Sequence, residues 1–130
     1  MHTNQYITLV EHGNQQQKAA FLPGIAREEI LATSATTEPE TGAHLLYCNS
    51  AARKVDGGWR LARTYPVVTS AQHTNLCFTI TRANPHARGD ELSMFMVPCD
   101  DKGVSRIGSR NTVLEHCRDA RHPKFRASVQ

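Results

Sequence analysis

The 130-residue sequence predicts a mainly β domain, an antiparallel β-barrel or sandwich with a short helix at its N-terminus. Three observations carry that expectation. Helix formers concentrate before Pro23-Gly24, short apolar or alternating segments recur after it, and clusters of Gly, Pro, Asp and Asn punctuate those segments at regular intervals.

The elements follow in order. Gln15 to Leu22 has good helix formers, and Pro23-Gly24 predicts the stop of that helix. Ile30 to Ala35 is short and apolar, as a strand would be. Leu45 to Val55 predicts a further strand, Asp56-Gly57-Gly58 a hairpin turn, and Trp59 to Tyr65 the returning strand. Pro66 then interrupts any ladder. Leu76, Phe78 and Ile80 alternate with Cys77, Thr79 and Thr81, which predicts one buried face and one wetter face. After the polar loop from Asn84 to Glu91, Leu92 to Val97 is apolar on both faces and predicts a central strand, closed by Pro98 and the turn Asp100-Asp101-Lys102-Gly103.

Composition bounds the function classes. Hydrophobic residues make up 39% and charged residues 21%, an ordinary globular balance for a single domain. No apolar run approaches the roughly 20 residues that a bilayer demands, and no charged-then-apolar leader pattern opens the chain. The cytosol is the default expectation, with an organelle matrix the alternative. Cys48, Cys77, Cys99 and Cys117 form no C-x-x-C pair, so they read as reduced residues that pack as small hydrophobes. The formal charge of +3 is concentrated late. Arg106, Arg110, Arg118, Arg121, Lys124 and Arg126 face only Glu115 and Asp119, but Phe125 is the single aromatic among them. Nucleic-acid binding needs stacking platforms, so a solvated terminus is the better reading.

Motifs of self-sufficient catalysis are missing: no H-E-x-x-H, G-x-S-x-G, G-x-G-x-x-G or phosphate loop occurs. His44, His73, His86 and His116 are scattered and read as surface residues. Glu38 and Glu40 share a face on an extended chain, which permits a carboxylate pair, although no nucleophile or metal partner accompanies them. The stretch Thr36-Thr37-Glu38-Pro39-Glu40-Thr41-Gly42 combines hydroxyls with a forced turn, because Pro39 has a fixed φ and Gly42 can take a positive one. Together with Val67-Val68-Thr69-Ser70 it suits a planar, polar-edged ligand such as a flavin. A plain surface turn is the competing reading.

Gln17-Lys18, Phe21-Leu22-Pro23, Thr37-Glu38-Pro39 with Gly42, Asp56-Gly57-Gly58-Trp59-Arg60-Leu61, Val68-Thr69-Ser70-Ala71, and Pro98 to Gly103-Val104 occur in an order and spacing that resembles the acyl-CoA dehydrogenase family. The resemblance runs from about Gly13 to Gly108. It implies three regions: 1–24 from an N-terminal helical domain, 25–108 as the central β-barrel domain, and 109–130 as a divergent basic tail. It also implies FAD as cofactor and an acyl-CoA thioester as substrate, with removal of an α-proton by a carboxylate and hydride transfer from the β-carbon to the flavin.

Residue by residue, the resemblance places Thr37 and the backbone amides from Thr36 through Gly42 at the flavin pyrimidine edge. Thr69 would aim a hydroxyl near the flavin N5, flanked by Val67 and Val68, and Ala43 would face the substrate. Where family members usually have Gly, Lys and an aromatic residue, this chain has Arg63, Tyr65 and Val67; Ala43 and His44 replace the usual hydroxyl and acidic residues. The family's catalytic carboxylate belongs to a C-terminal helical domain that the expectation places outside this chain, making it inactive alone. A homo-oligomer or partner subunit is expected, and no membrane association. A non-catalytic ligand-binding or assembly module on the same barrel is the alternative.

Overall fold

In the computed structural model, which describes residues 2–42, 44, 46–105 and 124–129, two helices precede six strands. Helix α1 runs His2–His12 and α2 Gln15–Ala26. Asn14 caps α2 reciprocally: its side chain accepts the Gln17 N–H at 2.8 Å, and the Gln17 side chain accepts the Asn14 N–H at 2.9 Å. The expected stop at Pro23-Gly24 does not hold, because α2 continues through both residues to Ala26. Gly24 instead serves close packing: a Cβ there would lie 2.6 Å from Ile30 Cδ1. The helix ends in crossed bonds, Glu28 N–H to Ile25 O and Glu29 N–H to Gly24 O, with Glu28 in the left-handed region at φ 60°.

One sheet has the order β1-β4-β5, from Ala32–Ala35, Leu76–Arg82 and Leu92–Pro98. The other has the order β2-β3-β6, from Arg53–Val55, Gly58–Thr64 and Lys124–Val129. Within the sheets the described strands form four pairings, three antiparallel and one, β1 with β4, parallel. The mainly β sandwich with an N-terminal helical part is as expected. The expected Leu45–Val55 strand shrinks to Arg53–Val55, since the residues before it bond irregularly, Cys48 N–H to Gly89 O and Ala52 N–H to Arg82 O. Lys124–Val129 pairs with β3 in register from Trp59↔Val129 to Thr64↔Lys124, which corrects the reading of this part of the tail as solvated terminus.

The first sheet is buried on both faces. Leu76 and Phe78 join Leu9, Ile25 and Ala32 beneath the helices. Cys77 and Val97 join Leu61, Tyr65, Val68 and Ala71 on the other side. The supposedly wetter face of β4 is therefore covered too: Cys77, Thr79 and Thr81 are buried. Their hydroxyls are satisfied inside, Thr79 with Tyr65 Oη and Thr81 on Ser50 O. Among the described residues β4 is therefore the central strand, and β5, expected in the centre from its apolar run, pairs with β4 alone. Cys48, Cys77 and Cys99 are buried and form no disulfide among the described residues, in keeping with the reduced state expected; Cys117 lies outside the described residues. No helix among the described residues is long and apolar enough to cross a membrane.

Candidate functional site

The chain leaves β1 at Ala35 and turns back within seven residues. Glu38 and Gly42 exchange both backbone bonds, Glu38 N–H to Gly42 O at 3.1 Å and Gly42 N–H to Glu38 O at 2.8 Å, with Gly42 at φ 60°. Pro39 cannot donate, so the turn uses or lacks three of its amides. Among the amides assigned to a ligand, those of Thr36, Thr37, Glu40 and Thr41 are left for that role.

Glu38 does not pair with Glu40. Its side chain points inward and is 2% exposed, whereas Glu40 is exposed. One carboxylate oxygen accepts the Asn49 N–H at 2.8 Å and the Thr41 hydroxyl at 3.1 Å. The other accepts the Ser50 N–H at 2.9 Å and the Cys48 thiol at 3.3 Å. Burial alone would push this carboxyl up, but the bonds from Ser50 and Asn49, with the Arg63 charge, hold it at about 2. A group so firmly ionised and enclosed is a structural anchor for the 44–52 excursion and does not serve as an acid or base. Burial likewise pushes the Cys48 thiol up, with the Arg63 charge opposing, so this cysteine lacks thiolate character.

Arg63, on β3, reaches across to the same point. Its Nε lies 3.4 Å from Glu38 Oε1, both side chains being buried; this is a charge pair without hydrogen-bond alignment. Nη2 donates to Thr36 O at 2.9 Å, Nη1 donates to Ile80 O, and the guanidinium sits 4.7 Å above the Tyr65 ring. Burial pushes the Tyr65 hydroxyl well up, so it stays neutral beside Thr79.

The second stretch lies against the first. Thr33, buried on β1, donates its hydroxyl to Thr69 O at 2.7 Å. Val68 is buried in the same cluster as Ala35. Ser70 takes φ 57°, and its carbonyl accepts from His73 and Thr74, which bends the chain sharply after Thr69. Of the expected residues, Thr36, Thr37 and Thr69 are half-buried, Gly42 is exposed, and Val67 is 53% exposed. Thr36, Thr37, Val68 and Thr69 thus gather beside the end of β1. Val68 faces the core, and only its neighbours Val67 and Thr69 present side chains outward in part. Ala43 lies outside the described residues.

Three residues of this arrangement escape the sequence reading: Thr33, Glu38 as an anchor, and Arg63. A partial signal exists for the last, since an arginine stands where the resemblance implies a glycine.

Comparisons with known proteins agree with this geometry. Residues 33–118 match the family described as acyl-CoA dehydrogenase, middle domain. A probable medium-chain specific acyl-CoA dehydrogenase 2, mitochondrial, of Caenorhabditis briggsae is 25% identical over 116 residues, covering 87% of this chain and 28% of that protein. The crystal structure of an acyl-CoA dehydrogenase from Geobacillus kaustophilus superposes with a TM-score of 0.80 at 23% identity, over 92% of this chain and 32% of the other. An acyl-CoA dehydrogenase from Bacillus anthracis, solved with FAD, gives 0.71 at 27% identity, over 87% and 19%. The chain therefore spans about a third or less of each relative's length. Because the matched region contains both sheets' central strands and the turn around Glu38, the chain belongs to the acyl-CoA dehydrogenase family, a family of flavin-dependent oxidoreductases, through its middle domain.

Proposed function

We propose that this chain supplies one wall of the FAD site of an acyl-CoA dehydrogenase-type oxidoreductase acting on the CH–CH bond of an acyl-CoA thioester. Region 25–108 forms the wall and region 1–24 backs it, while Lys124–Val129, within region 109–130, extends the second sheet. Bound FAD would supply the hydride acceptor; the chain's own residues bind and orient it. The amide and hydroxyl of Thr37, with Thr36 beside it, serve the pyrimidine edge. The Thr69 hydroxyl serves N5, where a donor stabilises negative charge. Val67 offers its exposed side chain to the ring, Val68 holds the segment in the core, and Gly42 closes the turn.

The observation that carries this reading is the bond from Thr33 to Thr69 O, which ties the Val67–Ser70 stretch to β1, the strand that leads into the Thr36–Gly42 stretch. The residues fit a flat ring in a second respect: a Cβ added at Gly42 would meet nothing within 4 Å, so open space lies over the turn. In this reading the carboxylate that takes the α-proton is assigned to a separate helical domain, and residues 1–130 bind and orient the flavin. The assembly-module alternative draws on the exposed Leu46, Tyr47, Ile7 and Val10, which a partner subunit or a second copy would cover.

Amide NMR of the 130-residue chain titrated with FAD tests the reading. Shifts at Thr36, Thr37 and Thr69, with the β2–β3 hairpin unmoved, are expected, and Thr69→Ala should weaken the response about three- to tenfold, the worth of one hydrogen bond. A titration to millimolar FAD that leaves these three residues unmoved would overturn it.

A further inference from the structure

The site reading assigns no role to Arg63, yet this buried side chain binds three separate segments at once. Its planar fork meets the Thr36 carbonyl just past β1, the Ile80 carbonyl on β4 and the Glu38 carboxylate in the turn, while its face rests on Tyr65, two residues on. Arg63 lies on β3 and Tyr65 directly follows that strand's end, and both are buried.

The bond to Thr36 O matters most. No cis peptide occurs among the described residues, and in a planar trans peptide the carbonyl and the following N–H point in opposite directions. Fixing the Thr36 carbonyl on the buried guanidinium therefore turns the Thr37 N–H to the opposite side. We propose that Arg63 is the positioning residue of the flavin site: by holding the Thr36 carbonyl, with Ile80 O and Glu38 as its other supports, it sets the plane of the Thr36–Thr37 peptide and aims the Thr37 amide outward. The proposal rests on the flavin-site reading above. It depends on the fork and not on charge alone, because three acceptors in different directions match a planar guanidinium and exceed the reach of a single ammonium.

Arg63→Lys separates the two contributions, since it keeps the buried positive charge beside Glu38 and removes the fork. Two readouts are needed. In the protein without flavin, the Thr36 carbonyl-carbon and Thr37 amide-nitrogen shifts should move in Arg63→Lys, while Glu38 stays ionised in a carboxyl-carbon titration with Cys48 and Arg63 as its charged or titratable neighbours. With FAD, the variant should bind about three- to tenfold more weakly, losing the Thr37 response and keeping that of Thr69. Unmoved Thr36 and Thr37 shifts in the variant overturn the inference without reference to flavin. So does a folded Arg63→Lys that binds FAD as the unsubstituted chain does. If the unsubstituted chain itself gives no response to FAD, the flavin-site reading fails, and this inference with it. Should Arg63→Lys not fold, the double variant Arg63→Gln with Glu38→Gln, which removes both buried charges together, gives the Thr36–Thr37 shift and FAD readouts.

Discussion

Two turns of this molecule look alike in sequence and are held in different ways. Glu38–Gly42 and the Asp56-Gly57 turn between β2 and β3 each depend on a glycine at positive φ, 60° for Gly42 and 80° for Gly57, and neither glycine has a neighbour that a Cβ would strike. The hairpin is a local object. Asp56 keeps a negative φ, Gly57 takes the position that a side chain would strain, and the flanking residues Val55 and Gly58 pair directly. The Glu38 turn is anchored from far away. Asn49, Ser50 and Arg63, eleven, twelve and twenty-five residues on, converge on one carboxylate beneath it. A turn of the first kind needs only its own residues, whereas one of the second kind is oriented by the packing of two sheets. That difference suits the second turn to present groups at a fixed angle.

The comparison breaks most sharply at Glu38. Glu38→Ala should cost about 3–5 kcal/mol in urea unfolding, because it leaves the Arg63 charge buried without its partner. It should also remove a pH dependence. The folded-state carboxyl lies at about 2, below its ordinary 4.5, so the unfolded chain binds the proton first as acid is added. The stability contributed by Glu38 is complete above pH 4.5 and is lost as the pH falls through about 2. Unfolding midpoints measured across that window should drop for the unsubstituted chain and flatten in the variant.

A smaller effect sharpens the same contrast. Gly42→Ala and Gly57→Ala should each cost about 1–2 kcal/mol from left-handed strain, since open space surrounds both. An excess cost at Gly42 over Gly57 in thermal unfolding would measure how far the distant anchor forbids the turn to relax. The smallest effect is a gain. Glu28 occupies a left-handed helix-ending position that glycine prefers, and Glu28→Gly should stabilise by about 0.5–1 kcal/mol. No gain would mean that the residue's other interactions offset its backbone strain.

Much of the fold was legible because its signals are local. Asp56-Gly57-Gly58 announces a hairpin, and Trp59 to Tyr65 reads as the strand that returns from it. The misread elements share one cause. The alternation of Leu76, Phe78 and Ile80 with Cys77, Thr79 and Thr81 on β4 looked half-solvated, yet Thr79 and Thr81 are buried because Tyr65 and Ser50 supply partners that hydrophobicity alone does not reveal. Pro23 reads as a stop, yet the packing of Ile25 and Phe21 on the sheet outweighs the one bond that proline forgoes. The candidate site divides in the same manner. Thr37, Gly42 and Thr69 were visible as hydroxyls and a turn, while the Glu38–Arg63 anchor was not, because neither residue carries a mark of burial.

By itself, then, the sequence determined the Asp56-Gly57 hairpin turn, the capping of α2 and the mainly β composition, which depend on residues within a few positions of one another, and the family pattern, which depends on the order of short motifs. Only the tertiary structure decided which of two neighbouring carboxylates is enclosed, which strand is central, and what holds Thr36 and Thr69 in place. The physical reason is distance along the chain: Arg63 meets Thr36 across twenty-seven residues and Thr33 meets Thr69 across thirty-six, and such partners find each other only when the sheets stack.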